Sequence, residues 1–178
     1  MKRAELEHVL RASAAITTDK SFVVIGSQAV LLPYPNAPAE LLMSNEVDLY
    51  PALHPGRADL IDGAIGQLSM FHDTFGYYAD GVGPDTARMP ADWMQFAKLY
   101  YIGEITVVSP ELHDVAVSKC VAGRDKDADW VRALLRHRMI DAARLEARLR
   151  SLDSAAMPVE RFVAWARRRA QEASTPPP

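Results

Sequence analysis

The stretch SFVVIGSQAVLL, residues 21–32, decides the fold. Phe22–Ile25 is a short β-branched run stopped by Gly26, the pattern of a buried strand. Ser27 can cap the next segment, in which Gln28, Ala29, Val30 and Leu31 read as a helix that Pro33 and Pro35 end. At a strand-to-helix junction the backbone N–H groups point outward and attract anions, and a glycine lets a phosphate come close. Ser27 adds a hydroxyl donor at the same place. An ordinary turn with a serine cap has the same sequence, so Gly26-Ser27 alone names no function.

Moving outward, LPYPNAPAE (32–40) holds three prolines and must be a loop. EVDLYP (46–51) then alternates polar and apolar residues, which predicts a half-buried strand closed by Pro51. A period of two puts Glu46 and Asp48 on one face while Val47 and Leu49 turn to the core. Two adjacent acids repel each other, and a divalent cation relieves the repulsion. Mg²⁺ favours one or two carboxylates plus substrate phosphates, so a phosphate-accepting turn followed by a carboxylate pair suggests metal-assisted nucleotide chemistry. For the acids taken alone, a solvated strand face is the plainer reading.

The rest of the chain frames this centre. Apolar spacing predicts helices over 3–17 and 57–68, then strands and turns over 71–93 with Phe75–Val82 the best strand candidate, and a strand at Glu104–Val108. Ser109-Pro110-Glu111 reads as a helix start, with Ser109 the cap and Pro110 the first helical residue, and that helix stops at Gly123. Further helices are expected near 125–137, 140–151 and 158–172, with SLDSAAMP (151–158) a linker and 174–178 a disordered tail. Strands interrupted by helices and then helices alone make an α+β core, α/β-like, with a helical C-terminal extension. The expected division is a core over 1–137 and an extension over 138–178 packed on it.

Composition bounds the function. With 178 residues, 49% hydrophobic and 24% charged, the chain can bury a core without disulfides or a structural metal. Its single cysteine, Cys120, has no CxxC or Cys/His companion for a zinc or redox site. No apolar run approaches the ~20 residues that span a bilayer, so a cytoplasmic protein without membrane contact is expected. The net charge of −3 hides a split: residues 1–123 carry 8 Lys/Arg against 15 Asp/Glu, residues 124–178 carry 12 against 8. An acidic front can hold cations and a basic back an anionic partner, although a solvated basic helix face gives the same arithmetic. None of the five histidines shows ligand spacing, and no serine sits in a nucleophile-elbow pattern.

The order strand, Gly-Ser, helix, then a strand with two acids spaced by one resembles the DNA polymerase β-like nucleotidyltransferase superfamily. The run SPELHDVAVSKCVAGRDKDADWVRALL (109–135) resembles the second half of the branch containing the AbiEii-like toxins of toxin–antitoxin pairs. There a helix beginning near Pro-x-x-Leu carries a lysine, then Ala-x-Arg, then Lys-Asp-x-x-Asp. Pro110, Lys119, Ala122, Arg124, Lys126 and Asp127 match, while the last acid falls one place early at Asp129, with Trp130 in its slot. Together the blocks cover roughly residues 20–137.

The resemblance implies carboxylates that hold two Mg²⁺ or Mn²⁺ ions, a nucleoside triphosphate, in-line attack by an acceptor hydroxyl and loss of pyrophosphate. Gly26 and Ser27 would hold the β and γ phosphates, and Glu46 and Asp48 would ligate the metals. Lys119 would neutralise the triphosphate. Arg124 and Asp127 would fix that lysine or contact the base, or merely link the turn between two helices. The sequence departs from the family at Glu46, where aspartate is preferred, and the third carboxylate is Asp80, with Glu104 and Asp73 as competitors. Two functions are expected from this: transfer of a nucleoside monophosphate to tRNA or a protein, in the manner of a toxin held by an antitoxin partner, or a degraded fold that binds nucleotide or protein. Arg161, Arg167, Arg168 and Arg169 could hold RNA phosphates, or simply form a solvated helix face.

Overall fold

A computed structural model describes residues 1–174 as two compact units, Met1–Ala87 with Ala97–Pro110, and Arg88–Phe96 with the chain from Glu111 onward. The fold is α+β. The first unit is built on a mixed five-stranded sheet of order β3-β2-β1-β5-β4, from β1 (Ser21–Ile25), β2 (Glu46–Pro51), β3 (Tyr78–Gly81), β4 (Lys98–Ile102) and β5 (Ile105–Ser109). β1 lies at the centre, antiparallel to β2 and parallel to β5, while β3 runs parallel to β2 and β4 antiparallel to β5. Phe22–Ile25 are all buried, as a continuous apolar run in a central strand should be.

Helix α1 (Arg3–Thr17) turns Leu6, Val9 and Leu10 into this core, and α2 (Ala58–Ile65) adds Ile61 and Ile65. These apolar faces come from the 3–4 spacing of the sequence. A third helix, α3 (Met70–Phe75), is capped by Ser69, whose hydroxyl accepts from the His72 N–H, and ends at Gly76 with φ +75°. The expected strand Phe75–Val82 therefore shortens to Tyr78–Gly81. The helix expected after Ser27 is a five-residue 3₁₀ helix, Ser27–Leu31. β4 has no counterpart among the expected strands, although its run KLYYI has the aromatic and β-branched content of one.

The second unit is helical: α4 (Trp93–Phe96), α5 (Leu112–Ala122), α6 (Asp125–Arg136), α7 (Ala142–Arg150) and α8 (Val159–Ser174). α5 packs against α6, α7 and α8, and is buried on nearly every side. Its cap is Glu111, not Ser109, because Ser109 is drawn into β5 by pairing with Lys98. The Glu111 carboxylate instead accepts from the His113 N–H. Residue 137, the expected end of the core, lies within this unit between α6 and α7. Of the expected disordered tail 174–178, Ser174 ends α8 and the rest lies outside the described residues. No described helix is long and apolar enough to cross a membrane.

Candidate functional site

The antiparallel pairing of β1 and β2 sets Ile25 opposite Asp48, so the acid stands beside the residue that opens the Gly-Ser turn. Gly26 has φ +78° and ψ −170°, a conformation essentially reserved for glycine. A Cβ built on it would fall 1.9 Å from Asp48 Oδ2 and 2.9 Å from its Cγ. The carboxylate of Asp48 is thus lodged against the bare Cα of Gly26, in the space a side chain would fill. Ser27 is half-buried at the start of the 3₁₀ helix. Gln28, next in the chain, is buried, and neither its Nε2 nor its Oε1 has a hydrogen-bond partner among the described residues. A buried unsatisfied carboxamide is rare enough to mark a polar group that a water or ligand could complete.

On the other side of β2, the parallel register pairs Glu46 with Tyr78 and Asp48 with Asp80. Residues in register on neighbouring strands share a face, so Asp80 stands beside Asp48. Of the competitors, Glu104 lies in the β4–β5 turn paired with Lys20, and Asp73 is exposed on α3. Tyr78 Oη donates to Glu46 Oε2 at 3.0 Å. Sequence reasoning offers this tyrosine stacking on a base or sugar, or packing on the sheet face, and not a bond to Glu46. Its contact with Glu46 depends on strand register, which no local pattern reveals.

The electrostatics follow from crowding. Burial, then the charges of Asp62 and Glu46, raise the Asp80 carboxyl above the usual aspartate range. Burial, the bond to Glu46 and the charges of Glu46, Asp80 and Asp48 push the Tyr78 hydroxyl up to about 12. The hydroxyl therefore keeps its proton at any working pH and serves Glu46 only as a donor.

Carboxylate oxygens crowded in this way are the hard donors that suit Mg²⁺ or Mn²⁺, and the Gly26 cradle holds one of them in place. Among the described residues no three His, Cys, Asp or Glu side chains close into a ready-made metal cluster. Mg²⁺ does not require one, since it completes its shell with water and substrate phosphates. The residues fit such an ion as a carboxylate pair, Asp48 and Asp80, with Glu46 alongside under the control of Tyr78.

Lys119, Arg124 and Asp127 come together in the second unit. Asp127 is 1% exposed and lies in the first turn of α6. It accepts from Arg124 Nε at 2.7 Å and meets Lys119 Nζ at 3.5 Å. Burial alone would raise its pKa, but the bonds from Arg124 and the charge of Lys119 outweigh burial and hold it below the usual range. The trio links the α5–α6 turn and fixes the lysine. Cys120 is buried beside it, its thiol pushed up to about 12 by burial and then by Asp127.

His113, for which no ligand spacing is found in the sequence, is buried. Its Nδ1 lies 2.9 Å from the Glu111 carboxylate, and its Nε2 accepts from the Asp141 N–H. On α8, Arg167 is paired with Glu146, and Arg169 with Glu172 while lying over the Trp165 ring.

No curated protein and no solved structure matches the chain. A family model does match it, over residues 4–169, and that span takes in the whole sheet, the Gly-Ser turn, all three carboxylates and the Lys119–Asp127 block. The chain therefore belongs to the family described as nucleotidyltransferase of unknown function (DUF6036).

Proposed function

We propose that this protein transfers a nucleoside monophosphate from a nucleoside triphosphate to a hydroxyl of an RNA or protein acceptor, with Mg²⁺ or Mn²⁺. The observation that carries the reading is the seating of Asp48 against Gly26, with Asp80 in register beside it. Asp48, Asp80 and Glu46 would hold the cation, which when bound neutralises the triphosphate and the departing pyrophosphate. Gly26 makes room for the Asp48 carboxylate, and Ser27 would offer the phosphates a hydroxyl donor beside it. Lys119, the ammonium that the family pattern assigns to the triphosphate, is kept in one place by Asp127. If the chain is the toxin of a toxin–antitoxin pair, this transfer to tRNA or protein would be its toxic activity and an antitoxin protein its restraining partner.

The test is calorimetric titration of Mn²⁺ with a nonhydrolysable triphosphate into the wild type and Asp48→Asn. Binding to the first and not to the second is expected; no binding to the wild type at millimolar metal would refute the proposal. The second reading, a protein that binds nucleotide or a partner without catalysis, is favoured by Glu46, a longer acid than the family prefers. Incubation with α-labelled triphosphates and total tRNA or cell protein separates the two, since only the transferase leaves covalent label.

A further inference from the structure

Glutamate at position 46 carries one more methylene, and one more free torsion, than the aspartate it replaces. A carboxylate on a longer stem loses more rotamer freedom when a cation fixes it. The structure supplies a restraint at this point. Tyr78, the cross-strand partner of Glu46, reaches Oε2 with its hydroxyl at 3.0 Å. The Tyr78 ring is itself held from α3, its centroid 4.6 Å from that of His72. His72 is fixed in turn: its N–H donates to Ser69 Oγ and its Nδ1 accepts from the Leu68 N–H. A chain of contacts thus runs from a capped helix through a rigid ring to one carboxylate oxygen.

We propose that Tyr78 is a positioning residue that makes a glutamate usable where an aspartate would otherwise be required, by restraining the Glu46 carboxylate on the sheet face it shares with Asp48 and Asp80, where a divalent cation would engage it. The inference rests on the metal-dependent function proposed for this site. Partners that orient metal-ligating groups typically change metal affinity by about 10–100-fold when removed. Aspartate, shorter by one carbon, dispenses with the restraint.

The experiment measures Mn²⁺ affinity, with a nonhydrolysable triphosphate present, for the wild type, Tyr78→Phe, Tyr78→Phe/Glu46→Asp and Asp48→Asn, each checked for folding by urea titration. Tyr78→Phe removes one oxygen atom and keeps the ring against His72, so it should fold. Its affinity is expected to fall about 10-fold. The double variant should recover most of that loss, which a merely structural tyrosine would not allow. Tyr78→Phe binding within about twofold of wild type while Asp48→Asn fails to bind overturns this inference and leaves the site reading standing. Failure of Glu46→Asp to rescue Tyr78→Phe also overturns it. If the wild type takes up no Mn²⁺, or Asp48→Asn binds as well as wild type, the site reading falls and the inference falls with it.

Discussion

The contact between Gly26 and Asp48 makes a quantitative prediction about stability. Gly26→Ala does two separable things. It forces an L-residue to hold φ +78° and ψ −170°, which costs about 1–3 kcal/mol wherever the neighbours stand. It also places a methyl 1.9 Å from Asp48 Oδ2 and 2.9 Å from Cγ, so the carboxylate must leave its position. Overpacking of this kind costs about 1–3 kcal/mol. The loss of unfolded-state freedom on replacing glycine returns about 0.4–1 kcal/mol, leaving a net destabilisation of about 2–5 kcal/mol.

Asp48→Ala separates the two contributions. It removes Cγ and Oδ2 and leaves Cβ, whose distance from the new methyl, 3.3 Å, needs only a small adjustment. The backbone cost persists in the double variant and the steric cost disappears. Urea unfolding of the four proteins should therefore give a favourable coupling of about 1–3 kcal/mol, as expected for groups in contact. Strict additivity, within about 0.5 kcal/mol, would refute the claim that the carboxylate occupies the glycine's side-chain space.

Other expectations rest on independent features. Gln28→Leu, which replaces a buried carboxamide lacking partners with an apolar side chain of similar length, should stabilise the metal-free protein by about 1–3 kcal/mol in urea titrations; a loss of stability would show that the amide is satisfied. Asp114 is fully buried and pairs with Arg148, which also bonds Asp92 and lies over Phe96. Asp114→Ala strips a buried cation of its closest partner and should cost about 3 kcal/mol, lowering Tm by about 6–12 °C. Asp127 is held below the usual range, so its interactions stabilise the fold above the unfolded aspartate value near 3.8 and are lost as pH falls through the folded value. Asp127→Asn should cost about 2 kcal/mol at pH 7, with the difference from wild type shrinking in acid; a gap constant with pH would contradict the assignment. Cys120 should resist a disulfide reagent at pH 8 in the native state and react fully in urea, because burial keeps its thiol protonated.

Much of the first unit is legible in the sequence because its signals are local. The run Phe22–Ile25, the alternation in 46–51 and the spacing in 3–17 each carry their period within a few residues, and each forms the expected element. The readings that fail concern competition between neighbours. Ser109 has the chemistry of a helix cap, but the pairing of β5 with β4 claims it and Glu111 caps instead. Phe75 has the β-propensity of a strand residue, yet Ser69 and Gly76 delimit a helix that ends on it. β4 lies at the sheet edge with Leu99 and Tyr101 exposed, so its run lacks the polar and apolar alternation that marks a half-buried strand.

The candidate site shows the same division more sharply. Residue types are readable: a glycine that ends a strand, acids at a period of two, and a lysine and an aspartate in a helical block. Their mutual placement is not, because it depends on register between strands far apart in sequence. Shifting β3 against β2 by one residue would turn Asp80 to the opposite face and separate Tyr78 from Glu46. Two glycines permit the close approaches of this arrangement. A side chain at Gly26 would collide with Asp48, and one at Gly81, the partner of Leu49, would meet the Ala58 carbonyl oxygen at 2.1 Å. Gly81 thereby lets α2 close onto β3, which brings Asp62 near enough to raise the Asp80 carboxyl. The acids supply the charge, and the two missing side chains set how closely Asp48 approaches the Gly-Ser turn and how closely Asp62 approaches Asp80.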